Sequence, residues 1–249
     1  MSYSYYVGCD LGQAQDFTAL CVVEQQVWAQ EAWAATRVLP SVTGWVSPST
    51  LVPAQLAELR TLNRRAGRAS EPPLHVTWLE RLPLGTSYPA VVARIAQLLA
   101  TPPLASAPVA LVVDATGCGR PVVDMMRVQG LAPVAVTITA GSATVYEPED
   151  GSYRTPKRDL VATVSVLLEQ RRLQVAAALP EAATLKRELE TFRRRITPDG
   201  ADAYSSWRES DHDDVVLAVA LALWYRQWWN VHLDRYDAQR ARQTAVADE

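Results

Sequence analysis

Cysteine and lysine are scarce in this chain, and long apolar runs are missing. Each shortage removes a class of protein. Cys9, Cys21 and Cys118 are the only cysteines; odd in number, far apart and without a CxxC pair, they give neither a disulfide framework nor a zinc knuckle. Lys157 and Lys186 are the only lysines among 24 basic residues, and 27 acidic residues leave a formal net charge of −3. A small basic module steered to DNA by its overall field is thereby excluded. An enzyme that meets DNA locally, around its own acidic metal site, is not. The longest apolar run, Val215–Trp224, has ten residues, about half of a bilayer span. The opening MSYSYYVGCDLG has no basic flank before an apolar stretch, so a soluble, cytoplasmic chain with no signal peptide and no membrane partner is expected. Glycine and proline are ordinary at 11 and 16 in 249 residues, and 49% hydrophobic with 20% charged residues excludes disordered, collagen-like and coiled-coil chains.

What is present reads as a mixed α/β chain. Tyr5–Cys9 is a short apolar run closed by Asp10-Leu11-Gly12, and Thr18–Glu24 is a second strand, with Val27–Leu39 able to supply a third. Short spacers and β-branched residues predict an antiparallel meander. Residues 40–73, with Pro40, Pro48, Pro53 and Pro72 and the basic Arg64, Arg65 and Arg68, read as an excursion from the core. From Leu74 strands and helices alternate: Leu74–Leu79, a helix over Tyr88–Leu99, an apolar strand Val109–Val113 ending at Asp114, a glycine-bearing turn, a helix over Pro121–Gln129, and Val134–Ile138. Strand, helix, strand at these spacings implies a parallel βαβ unit. Thr155-Pro156 reads as N-cap and first turn of a helix through about Arg171. A helix over Pro180–Phe192 follows, then a hairpin, Arg193–Tyr204, around Pro198-Asp199-Gly200. The last element, from Asp211 to about Trp229, is apolar on all sides and therefore buried. We expect one domain over 1–233 and a charged, flexible tail over 234–249.

Three carboxylate positions matter because of where they sit. Asp10 ends the first strand, Asp114 ends the first strand of the βαβ unit, and Asp213 and Asp214 open the buried helix. If the two strands are neighbours, their C-terminal ends meet at the switch point where α/β sheets hold ligands. Carboxylates gathered there repel one another unless a cation compensates. Oxygen-only ligands favour Mg²⁺ or Mn²⁺, and a pair of such ions clamps the attacking and leaving oxygens of a phosphodiester. Each residue also has a structural reading: turn chemistry for Asp10 and Asp114, helix capping for Asp213 and Asp214.

Taken in order, YVGCDLGQAQDFTALCVVE, LVVDATGCGRPVVDMM, TPKRDLV and SDHDDVVLAVALALW resemble the nuclease domain of phage large terminases. The resemblance implies an RNase H-like fold, a mixed sheet with helices on both faces, and two-metal, Mg²⁺- or Mn²⁺-dependent endonucleolytic cleavage of double-stranded DNA during genome packaging. It implies Asp10, Asp114, Asp213 and Asp214 as catalytic metal ligands. Neighbours on a helix point about 100° apart, so one of the last two is the primary ligand and the other supports it. Asp16 matches an acidic position of the family, and His212, next to the pair, is a candidate for orienting a ligand. Lys157 and Arg158 match a basic pair that meets the DNA backbone, and Arg193, Arg194 and Arg195 form a basic hairpin suited to phosphates.

A full large terminase also carries an ATPase motor. That motor needs GxxxxGK[ST], and neither lysine follows a glycine. The chain is then a separate nuclease subunit, a split or stand-alone gene product, or an excised domain, and the implied partners are DNA and a separate packaging ATPase or other terminase or portal components. Two alternatives stay open: a non-catalytic packaging scaffold of the same fold, and a nuclease similar to Holliday-junction resolvases.

Overall fold

The computed structural model describes residues 2–12, 16–27, 73–195 and 213–228. Eight strands form one sheet: β1 (Ser2–Asp10), β2 (Ala19–Val27), β3 (Leu74–Arg81), β4 (Val109–Asp114), β5 (Pro133–Thr139), β6 (Val145–Glu147), β7 (Ser152–Pro156) and β8 (Leu173–Val175). Their order across the sheet is β6-β7-β5-β4-β1-β2-β3-β8. β1, β2 and β3 are the expected antiparallel meander, with Leu74–Arg81 as its third strand. β4 pairs in parallel with β1, β5 with β4 and β7 with β5. The segment Val27–Leu39 beyond Val27, the excursion over 40–73 up to residue 72, and the tail over 234–249 lie outside the described residues.

The helices are α1 (Tyr88–Leu99), α2 (Gly119–Val128), α3 (Lys157–Glu169), α4 (Ala182–Arg195) and α5 over 214–228. Successive strand residues face opposite sides, and this separates two cores. Tyr5, Val7 and Cys9 of β1, with Leu111 and Val113 of β4, pack on Val91 and Ile95 of α1 and Val122 and Met126 of α2. Tyr6 of β1, with Ala110 and Val112 of β4, packs on Leu160 and Val164 of α3, Leu185 of α4 and Val219 and Leu223 of α5. Burial from Asp214 through Arg226 is unbroken, as the apolar run predicts for a helix enclosed on every side.

Two local readings are corrected. Arg193–Arg195 do not begin a hairpin; they are the last residues of α4. The strong helix formers of AATLKRELETFRRR carry the helix through the arginine triplet, and the first breaker, Pro198, comes three residues later. Thr155-Pro156 does not open a helix by its own cap either. Both close β7, and Pro156 is the N-cap residue in an extended conformation, with no side-chain cap. The strands β6, β7 and β8 are three to five residues long, too short to show period 2 clearly.

Candidate active site

The alternation that separates the cores also brings the acidic residues to one side. Asp10 follows Tyr6 and Gly8 in the row facing α5, and Asp114 follows Ala110 and Val112 in the same row. β1 and β4 run parallel with Cys9 opposite Val113, so the next residues, Asp10 and Asp114, stand side by side where both strands end. Each strand is stopped by its own turn. The Gly12 N–H donates to Thr18 Oγ1 at 3.1 Å, closing the exit of β1. After β4, the Thr116 N–H donates to Asp114 Oδ1 at 2.8 Å, and the Thr116 hydroxyl accepts the Ile138 N–H at 2.9 Å. Gly117 there takes φ 61°, a left-handed turn position that favours glycine. The next glycine, Gly119, lets α2 start against β4, since a Cβ would stand 2.4 Å from the Asp114 carbonyl oxygen.

The helix α5 brings the remaining pair. It lies directly on β1: a Cβ on Gly8 would stand 1.9 Å from the Ala218 carbonyl oxygen, and the Cys21 thiol donates to that same oxygen at 3.2 Å. Asp213 caps the helix, its carbonyl accepting the Leu217 N–H at 2.9 Å. The two neighbouring carboxylates turn to different cations. Asp213 Oδ2 is 2.8 Å from Lys157 Nζ, whereas buried Asp214 Oδ2 is 3.8 Å from Arg81 Nη2. Lys157 is the first residue of α3, where the helix dipole disfavours a cation; the bond to Asp213 offsets that. The Arg81 guanidinium lies 3.7 Å above the Phe17 ring, a cation–π contact that fixes its plane.

This crowding acts on protonation. Burial pushes the Asp10 carboxyl well above the usual carboxylate range, the charges of Asp114, Asp213 and Asp214 push it further, and Lys157 opposes them. Asp114 is raised by burial too, but hydrogen bonds from Thr116 and from Asp10, and the charge of Lys157, pull it back. Of the two, Asp10 is the carboxyl on which burial and neighbouring charge act together, while the contacts of Asp114 partly offset its burial. Glu188 of α4 is a fifth carboxyl in the cluster. It accepts the Val216 N–H at 2.8 Å, and burial raises it to about 7, with Asp214 and Asp213 adding and Val216 and Arg81 subtracting.

Among the described residues, no three His, Cys, Asp or Glu side chains meet in a group ready to hold a metal ion. The donor chemistry still suits one. All donors are carboxylate oxygens, the match for Mg²⁺ or Mn²⁺, and a divalent cation would favour the ionised form of the crowded Asp10 and Asp114 carboxyls.

Not every residue singled out from the sequence is at this point. Asp16 is exposed on the loop between β1 and β2. Arg158 donates to the Ser142 carbonyl and lies 3.7 Å from Asp159, which ties it to the loop before β6. His212 lies outside the described residues, and Arg193, Arg194 and Arg195 are in the last turn of α4. Arg81 and Glu188 belong to no motif. Glu188 left one readable signal: it shares a helical stripe with Leu185 and Leu189, so a charged residue sits on the buried face. A groove of about 340 Å³ opens beside Asp114, lined by Ala115, Gly117, Arg120, Thr137, Glu147 and Arg154. Arg120 is held by Asp150 at 3.1 Å and Arg154 by Glu147 at 3.8 Å.

The meander β1–β2–β3, continued on the β1 side by parallel β4 and β5 with helices on both faces, decides the architecture. The fold is RNase H-like. Two solved structures of similar shape are terminase nucleases. The large terminase nuclease of thermophilic phage G20c matches with a TM-score of 0.45 and 18% identity, over 88% of this chain and 81% of that one. The human cytomegalovirus terminase nuclease domain, Mn soaked, matches with a TM-score of 0.41 and 11% identity, over 89% and 82%. No family model and no curated protein matches the sequence. Among the described residues, no helix is long and apolar enough to cross a membrane.

Proposed function

We propose that this chain is a metal-dependent endonuclease that hydrolyses double-stranded DNA during packaging of a phage or prophage genome. The observation that carries the reading is buried Asp10, driven toward its neutral form by burial and by Asp114, Asp213 and Asp214. A fold gains no stability from such a cluster, whereas a site for hard cations needs it. Asp10 and Asp114, with Asp213 or Asp214, would hold two Mg²⁺ or Mn²⁺ ions. Bound there, the ions supply an activated water and stabilise the leaving oxygen. Asp10, which feels the charges of Asp114, Asp213 and Asp214, would be the central ligand. Lys157 pairs with Asp213 at 2.8 Å and holds its carboxylate in place. No phosphate-binding motor loop stands in these 249 residues, so a packaging ATPase would act from outside them.

The groove beside Asp114 suits the flanking DNA backbone, with Arg120 and Arg154 as phosphate contacts. Replacing both by Ala in an Asp114→Asn background is expected to weaken duplex binding about tenfold at 0.1 M salt and to flatten its salt dependence by about two phosphates. Fluorescence anisotropy reads this, and unchanged binding with an unchanged salt slope removes these arginines from the interface.

A supercoiled-plasmid assay with Mg²⁺, Mn²⁺ or EDTA, run beside Asp114→Asn, tests the activity itself. Nicking and linearisation that need metal and vanish in the variant are expected. An intact plasmid at low salt with either metal favours the non-catalytic packaging scaffold.

A further inference from the structure

An aspartate at a helix N-cap ordinarily turns its carboxylate back to accept the N–H of the second or third helical residue. In α5 the cap is Asp213 and the third residue is Val216. That N–H is taken by another helix: Glu188 Oε2, from α4, accepts it at 2.8 Å. Asp213 Oδ2 is thereby left to face Lys157 at 2.8 Å. The acceptor is built in, since Glu188 is 9% exposed and shares its buried stripe with Leu185. Its second oxygen, Oε1, is buried and makes no hydrogen bond, so Glu188 is not there as a solvated charge. Leu would satisfy the core at this position but leave the Val216 amide orphaned, which is unfavourable for a buried donor.

We infer that Glu188 is a positioning residue of the site: it caps α5 from outside and so releases the Asp213 carboxylate, with its neighbour Asp214, for metal binding. The inference rests on the nuclease reading and adds a residue to it. Without Glu188, the Asp213 side chain rotates back to cap its own helix, and the site loses a ligand while the fold is retained.

The test compares Glu188→Gln and Glu188→Ala in the 249-residue chain. Gln keeps an oxygen for the Val216 N–H; Ala does not. Mn²⁺ titration followed by electron paramagnetic resonance and initial nicking rates are measured well below each thermal midpoint. For Glu188→Ala the Mn²⁺ midpoint is expected to rise and turnover to fall by about 10–100-fold, the range for residues that orient a ligand, with KM for DNA unchanged. Glu188→Gln should stay within about threefold of the parent by the same measure. If Glu188→Ala does not fold, Glu188→Asp, one carbon too short to reach Val216, takes its place with the same expectation. An alanine variant that lowers only the melting temperature, with parental turnover and Mn²⁺ midpoint, overturns the inference. So does a glutamine variant as impaired as the alanine. A parent chain that neither binds Mn²⁺ nor cuts DNA overturns the nuclease reading and this inference together, a result recognisable because parent and variants are then alike.

Discussion

Asp10→Asn is expected to abolish cleavage and at the same time to stabilise the metal-free protein, raising its thermal midpoint at pH 8 by roughly 3–8 °C. The Asp10 carboxyl is raised in the folded state by burial and by three neighbouring carboxylates. A carboxyl raised above its unfolded value contributes stability while protonated. That contribution is complete below the unfolded pKa, about 3.9 for Asp, and is lost as pH rises through the folded value. At pH 8 the unfolded chain gains by ionising this carboxyl and the folded parent bears that cost, whereas Asn does not. The difference in midpoint should shrink toward zero as pH falls to about 4. Millimolar Mn²⁺ should reverse the order, raising the parent's midpoint by mass action and leaving the variant's in place. The loss of nicking should exceed about 100-fold, the upper range for residues that only support a ligand. A midpoint that drops in Asp10→Asn at pH 8 would assign Asp10 to the Leu11-Gly12 turn instead, and calorimetry with and without Mn²⁺ separates the two.

The second large effect comes from a residue with no chemistry of its own. Gly8→Ala places a methyl 1.9 Å from the Ala218 carbonyl oxygen, 2.9 Å from its carbon and 3.1 Å from the Cys21 sulfur. Two of the three obstacles are backbone, so no side-chain rotation relieves them. The helix α5 must lift from β1, which breaks the packing of a helix buried along nearly its whole length. Overpacking of a core costs about 1–3 kcal/mol and occasionally more, and rigid obstacles place this case at the upper end. A drop in thermal midpoint of more than about 6 °C is expected for a chain of this size. Because α5 carries Asp213 and Asp214, the Mn²⁺-induced stabilisation should be lost as well, even where the variant stays folded. A Gly8→Ala protein that melts within about 2 °C of the parent would mean that α5 does not seat on β1 at this point.

Much of this molecule is legible along the chain. The apolar runs that end at Asp10 and Asp114 announce two strands whose last residue is acidic. The alternation after Leu74 announces a parallel unit. The all-round apolar stretch from Val215 announces a helix with no solvent face. These signals are local: they depend on side-chain periodicity and turn residues within a dozen positions. The misreadings are local as well. At Thr155-Pro156 and at Arg193–Arg195, short segments carried signals for two kinds of element, and packing chose between them. β7 is a strand because it has β5 to pair with, and α4 continues because its helix formers meet no breaker.

Residue order alone thus determined the mixed α/β class, the two strand ends and the three places where carboxylates gather. It also determined the parity that points Asp10 and Asp114 to one side. Tertiary structure alone decided which cations those carboxylates meet: Lys157 for Asp213, from 56 residues away, and Arg81 for Asp214. It also decided that Glu188 of α4 caps α5, and that Gly8 lies against the Ala218 carbonyl of that helix. Burial and Coulomb interactions act through space, so a pKa or a released ligand depends on neighbours brought together by packing, and no spacing along the chain encodes that distance.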